Sequence, residues 1–393
     1  MLYRSVTLFV GGAKDYRLAV LCSHRNQGLK HIKNVFIAPI QATGRSSHSG
    51  QEGEQTALII RMLLEALPHN VLHIFACIHP IKLSNDNLLF LYKTQQSLQR
   101  LGYALHEDGT VIPALQARSQ ELRALFSNCS QLVLNVDSQN TLELGQYYLK
   151  RIPHVALLEI ASKKHHVDGA IRPRELRDGP TGPGLLTRTL FRHMLPFDRC
   201  TPLSNLKSLS LDGVSLRYCR DTFCRIIDFQ NLVKLTVRNC PGADSLLAVL
   251  CKGSAFPRQL VELVLCHHDN KENEVLAALD VLLCLVSGLE FLIIDLENVA
   301  SLPAAEGIAR QGKTLQVLSV HAFKSGPVAA DDKAEIIWCL KDFEKVCKSF
   351  VKLEQLSCGF PHTPINRHAS RSWRCFAVGH GFVGLRVSNL TIL

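Results

Sequence analysis

The 393-residue sequence predicts an α/β fold, a leucine-rich-repeat-like (ribonuclease-inhibitor-like) solenoid with a parallel β-sheet on its concave face and helices outside. Two observations carry the prediction. The template L-x-x-L-x-L recurs at Leu206-Leu209-Leu211, Leu232-Leu235-Val237, Leu260-Leu263-Leu265, Leu289-Leu292-Ile294 and Leu315-Leu318-Val320. Its starts, 206, 232, 260, 289 and 315, lie 26, 28, 29 and 26 residues apart, inside the roughly 20–29-residue period of such repeats. With 47% apolar residues, a lone match occurs by chance at about one position in ten, so the spacing is what counts. The second observation is that helical patterning fills the gaps, at Phe223, Ile226 and Ile227, at Leu246, Leu247 and Leu250, and at Val275, Leu276, Leu279, Leu282, Leu283 and Val286.

Each unit therefore reads as one strand and one helix. A last strand is expected at Leu353, Leu356 and Cys358, after a helix carrying Ile336, Ile337, Leu340, Phe343, Val346, Cys347 and Phe350 on period. Toward the N-terminus the template persists at Val155-Leu158-Ile160, Cys129-Leu132-Leu134 and Leu98-Leu101-Tyr103, and more loosely at Leu72 with Ile74 and at Ile32-Val35-Ile37. The expected organisation is a lead-in, capping segment over 1–28, the solenoid over 29–360 and a poorly ordered tail over 361–393. Exposed loops are expected at the Ser- and Gly-rich stretch 44–55 and at the Pro-rich stretch 171–188, the second dividing the solenoid into halves. Arg371-Ser372-Trp373-Arg374 in the tail reads as an irregular terminus or a short docking motif.

Composition narrows the class. Only 20% of residues are charged, which marks a folding chain. The longest strongly apolar stretch, Val275 to Val286, has twelve residues and includes Asp280, too short for a membrane helix. The start of the chain lacks the basic, apolar, small-residue order of a signal peptide, so a cytoplasmic or nuclear protein with no membrane partner is expected. Fourteen cysteines scattered along the chain, many at apolar positions such as Cys129 and Cys358, read as reduced core thiols. The charge of +10 is spread without a run of five basic residues, and no nucleic-acid partner is expected.

Several stretches resemble fungal F-box proteins with leucine-rich repeats. Leu2-Tyr3-Arg4-Ser5-Val6-Thr7-Leu8 matches the "LLYR-x-V-x-L" segment that leads into that family's first repeat, and Gly28 to Val35 resembles its next strand. Leu67-Pro68-His69-Asn70-Val71-Leu72 and Gln96-Ser97-Leu98-Gln99-Arg100-Leu101 resemble its second and third units. The resemblance spans roughly residues 1 to 360 and implies the substrate-recognition part of a ubiquitin ligase subunit. The family's F-box would lie before Met1, so binding of a Skp-type adaptor is implied only if an upstream F-box exists.

Chemical motifs are sparse. Gly307-Ile308-Ala309-Arg310-Gln311-Gly312-Lys313-Thr314 satisfies G-x-x-x-x-G-K-[ST], the basis of an alternative reading as a nucleotide-binding protein or enzyme using the Gly307–Thr314 loop. A phosphate loop runs from strand to helix, whereas this segment reads as helix, stop and strand. Cys266-His267-His268-Asp269 lacks a second ligand pair, so surface imidazoles and no metal are expected, as at His165 and His166. No cofactor and no catalysis are expected.

The strand register instead names a surface. Side chains flanking the inward leucines face the concavity: Ser208 and Ser210; Lys234, Thr236 and Arg238; Glu262 and Val264; Phe291, Ile293 and Asp295; Val317, Ser319 and His321. Val264, Phe291, Ile293 and Val317 predict an exposed apolar patch that binds a protein partner, with Lys234 and Arg238 beside it, on a monomeric scaffold.

Overall fold

The structure is a computed structural model that describes residues 4–10, 20–23, 25–39, 51–78, 81, 83–104, 127–136, 139–152, 154–162, 184–194, 202–217, 221–253, 255–268, 275–324, 334–359, 375–378 and 382–386. Its fold is the leucine-rich-repeat-like α/β solenoid that the spacing predicts: parallel strands alternate with helices. The chain forms two compact units, Met1–Ala170 with Thr189–His193, and Ile171–Arg188 with Met194–Leu393.

In the second unit, β7 (Ser208–Asp212), β8 (Lys234–Arg238), β9 (Glu262–His268), β10 (Phe291–Glu297), β11 (Val317–Lys324) and β13 (Gln355–Cys358) pair in parallel, each with the next. Leu209, Leu235, Leu263, Leu292, Leu318 and Leu356 stand side by side in one row, and each is at most 2% exposed. Because side chains alternate across a strand, one face is sealed while the other stays half-exposed, as the alternation along β10 shows. The sealed face meets helices α5 (Asp221–Ile226), α6 (Ala243–Leu250), α7 (Val275–Leu285), α8 (Ala305–Arg310) and α9 (Leu340–Ser349), of which α6 to α9 pack side by side in order. Leu246, Leu247, Leu279, Leu282 and Leu283 are fully buried there, each contributing about 1.5–3 kcal/mol.

The first unit repeats the scheme with β1 (Ser5–Val10), β2 (Asn34–Pro39), β3 (Ile74–Cys77), β4 (Arg100–Ala104), β5 (Gln131–Val136) and β6 (Leu157–Ser162), again parallel and paired in sequence order. Helices α1 (Gln51–Ala66), α2 (Asn85–Thr94) and α3 (Gln139–Leu149) intervene, and Ser84 caps α2 by accepting from the Asn87 amide.

Left-handed residues mark where the chain leaves its strands. Gly213, Asn239 and Asn298 follow β7, β8 and β10 with φ of 66°, 49° and 62°. Each amide donates to a carbonyl of a later strand, Arg238, Cys266 and Phe323 respectively. Asparagine and glycine suit this turn because they tolerate positive φ.

Two buried glutamines tie one repeat to the next. Gln95, with no exposed surface, accepts from the amides of Val71 and Leu72 at 3.0 Å each and donates to Pro68 O at 2.9 Å. Gln311, 1% exposed, donates to Leu283 O and Val286 O at 3.0 and 2.7 Å. Both close the turn that leads from a helix into its strand.

Several expectations are corrected. The sheet begins at β1, inside the segment expected to be only a cap, because Val6, Leu8 and Val10 already alternate as a strand alongside β2. In β3 the inward residues are Phe75 and Cys77, at 0% and 2%, while Ile74 is half-exposed; a one-residue shift moves a strand's side chains to the opposite face. Helix α1 starts at Gln51, within the loop expected over 44–55, and a helical turn, α4 (Leu185–Arg188), occupies the end of the 171–188 stretch. Leu185 and Leu186 there are 0% and 3% exposed, so the end of this stretch carries buried apolar side chains rather than a solvated loop.

Helix α9 starts at Leu340 rather than near Ile336. Ala334–Glu335 is instead a short strand, β12, antiparallel to the extended end of β11, and Trp338 is buried with its indole N–H donated to Pro303 O. Within 361–393, where a poorly ordered tail is expected, the described residues are β14 (Cys375–Val378) and β15 (Phe382–Arg386), an antiparallel pair with β15 against the edge of β13, and the rest of the tail lies outside the described residues. An edge strand presents unpaired backbone groups that such a hairpin satisfies. Residues 44–50 and 171–183, together with Arg371–Arg374, His165 and His166, lie outside the described residues.

Candidate functional site

The open face of the second unit carries ion pairs between neighbouring strands, Lys234 with Glu262 and His268 with Glu297, and the contact of His321 with Glu335. Register places its side chains in rows. The first row runs Ser208, Lys234, Glu262, Phe291, Val317, Gln355; the second Ser210, Thr236, Val264, Ile293, Ser319, Ser357; the third Asp212, Arg238, Cys266, Asp295, His321.

The expected binding residues come together on this face. Phe291 and Val317 are direct neighbours, Ile293 sits one row along from both, and all three are half-exposed. Val264 is beside Ile293 but only 3% exposed, which corrects its expected place on an exposed patch. Flanked by Thr236 and Ile293 on adjacent strands, the short valine is shielded by its longer neighbour. Lys234 is exposed and pairs with Glu262 at 2.5 Å, a surface ion pair worth about 0–1 kcal/mol. Arg238 is exposed beside Cys266. Burial raises the Cys266 thiol, and the Arg238 guanidinium partly offsets that rise.

The Cys266–His268 cluster is not a pair of surface imidazoles. His268 is exposed and contacts Glu297 through Nδ1 at 3.1 Å, but His267 is 4% exposed and turned to the core. Strand β9 runs three residues beyond the template, so its alternation carries Leu263, Leu265 and His267 inward, with His267 level with Leu296 and Ala322. Burial, followed by the neighbouring His268, lowers the His267 imidazole to about 4. Among the described residues no group of three His, Cys, Asp or Glu could hold a metal ion. Cys129 and Cys358 are 1% and 6% exposed, and burial pushes their thiols to about 11 and about 12; among the described cysteine side chains no disulfide forms.

Gly307–Thr314 runs from helix α8 into the turn before β11. The Thr314 hydroxyl donates to Leu289 O at 2.7 Å, and a Cβ on Gly312 would meet Ser349 O at 2.3 Å. This is a packed inter-repeat turn, opposite in order to a strand-to-helix phosphate cradle.

One constellation escaped the sequence reading. His321 Nε2 lies 2.9 Å from Ser357 Oγ, and its Nδ1 lies 2.9 Å from Glu335 Oε1. His321 and Ser319 were named from register, but Ser357 and Glu335 are 36 and 14 residues from His321, and only the pairing of β11 with β12 and β13 brings them near. No short motif records such a meeting.

No family model matches the chain, and no curated protein matches it. No helix among the described residues is long and apolar enough to cross a membrane.

Proposed function

We propose that this chain is a monomeric protein-recognition solenoid of the cytoplasm or nucleus that holds its partner on the open face of the second unit. The observation that carries the reading is the adjacency of half-exposed Phe291, Ile293 and Val317, with Lys234 and Arg238 at the margin. Apolar anchors bordered by charge are the make-up of an interface, in which the anchors supply affinity and the charges orientation. In its finer form the proposal makes the chain the substrate-recognition part of an F-box-type ubiquitin ligase subunit, which rests on the resemblance alone. Adaptor binding then requires an F-box upstream of this sequence.

The test is co-purification with tagged wild-type chain and with the double variant Phe291→Ala, Ile293→Ser, circular dichroism confirming that both are folded. The expected result is loss of specifically retained proteins from the variant. Identical retention by the two chains refutes the patch.

A further inference from the structure

Beyond protein recognition, we propose that Ser357, His321 and Glu335 form an acyl-transfer site, with Ser357 as nucleophile, that accepts carboxylic esters of small apolar acyl groups. A hydroxyl becomes a nucleophile when a base within hydrogen-bond reach takes its proton and a third group holds that base. Both contacts are in place at 2.9 Å.

Their direction follows from the donors and acceptors available. A Glu335 carboxylate accepts only, so His321 Nδ1 carries the ring proton. In that tautomer Nε2 is an acceptor, and the Ser357 hydroxyl donates into it. The imidazole is 8% exposed and stacks on the Phe323 ring at 6.5 Å between centroids, so its orientation is fixed. Ser357, in contrast, occupies a half-exposed position on the open face, reachable from solvent.

The surroundings suit an acyl group. Ser319 adjoins Ser357 in register and Ile293 lies one strand further, with Val317 and Phe291 in the neighbouring row. Strands are about 4.8 Å apart, so the apolar patch begins within about 10 Å of the nucleophile. A short acyl chain can lie on it, with the Ser319 hydroxyl near the carbonyl.

In the reaction, Ser357 Oγ attacks the ester carbonyl carbon while His321 Nε2 takes its proton and the carbonyl π pair moves to oxygen. Collapse breaks the bond to the leaving alkoxide, which receives that proton from His321 and departs as an alcohol. Water then attacks the acyl-serine by the same route, releasing the carboxylic acid and restoring Ser357. Nothing is oxidised or reduced. Glu335 is a positioning residue, since it acts through the imidazole.

The test uses the full chain with a fluorophosphonate probe, whose fluoride an activated serine displaces, and with p-nitrophenyl butyrate after thiols are blocked. Peptide mass mapping should place the label on Ser357. Ester turnover and labelling should fall at least ~100-fold in Ser357→Ala, the scale of general-base assistance. Glu335→Gln should slow both while Glu335→Asp restores them, with circular dichroism and thermal midpoint unchanged in each. If Ser357 in the folded chain takes no label, or takes it equally fast in Glu335→Gln, the constellation is only a clasp holding β12 and β13 to β11, and the proposal fails.

Discussion

At the scale of single residues, the two inter-repeat glutamines show how a polar side chain serves an apolar array. Gln95 satisfies two amides and one carbonyl at once, all shut away from water. Gln95→Leu keeps the volume but strands those groups, and each stranded group costs about 1–3 kcal/mol. With three such groups we expect a loss of at least about 3 kcal/mol, read as a lower urea midpoint. The sequence did not reveal this role. Hydrophobic periodicity marks where a polar residue interrupts a pattern, and Gln95 and Gln311 stand just before the leucines that begin a template, where any polar residue looks like turn. Val264 was misjudged for a related reason: register predicts the face on which a side chain stands, and exposure depends also on the reach of its neighbours.

At the scale of elements, the inward leucines and the outward residues of a strand should respond differently to truncation. Leu292→Ala removes a fully buried side chain and should cost about 2–5 kcal/mol. Ile293→Ala, its half-exposed neighbour, should cost under about 1.5 kcal/mol. Equal losses in a denaturation series would mean that both faces are sealed.

Strand length matters too. Because β9 outruns its template, it sets His267 among core side chains, and an acid sensitivity follows. Its imidazole is lowered to about 4 in the folded chain against an ordinary 6.5. The unfolded chain therefore takes up a proton first as the pH falls, and stability present above pH 6.5 is lost progressively down to about pH 4. The size is on the order of 3 kcal/mol. Thermal midpoints between pH 7 and 4 should fall less steeply for His267→Leu than for wild type.

The strands from β7 to β11 were legible because five templates on one period set their register. Where the template thinned, at β1 and β3, position was lost by one strand or one residue. Strand β12 and the start of α9 were missed because Ile336 and Ile337 fit a helical period while the chain extends there to pair with β11.

At the scale of the whole molecule, the sequence yielded the architecture and part of the candidate surface. It placed Phe291, Ile293 and Val317 together correctly, since within a parallel ladder adjacency is a matter of counting. It could not yield the Ser357–His321–Glu335 meeting, which depends on an antiparallel excursion of the chain after β11. If that constellation acylates, recognition and chemistry share one face, and a bound partner should slow p-nitrophenyl butyrate turnover by covering it.

The uniform ladder has a further consequence for how such a chain can vary. Among the described residues each rung touches chiefly the rungs before and after it, so the packing of one rung does not depend on how many there are. Duplicating or deleting a full period disturbs only two junctions, whereas adding or removing one residue inside a strand turns every later side chain of that strand inside out. Length in this architecture is therefore cheap to change in whole steps and costly to change in fractions.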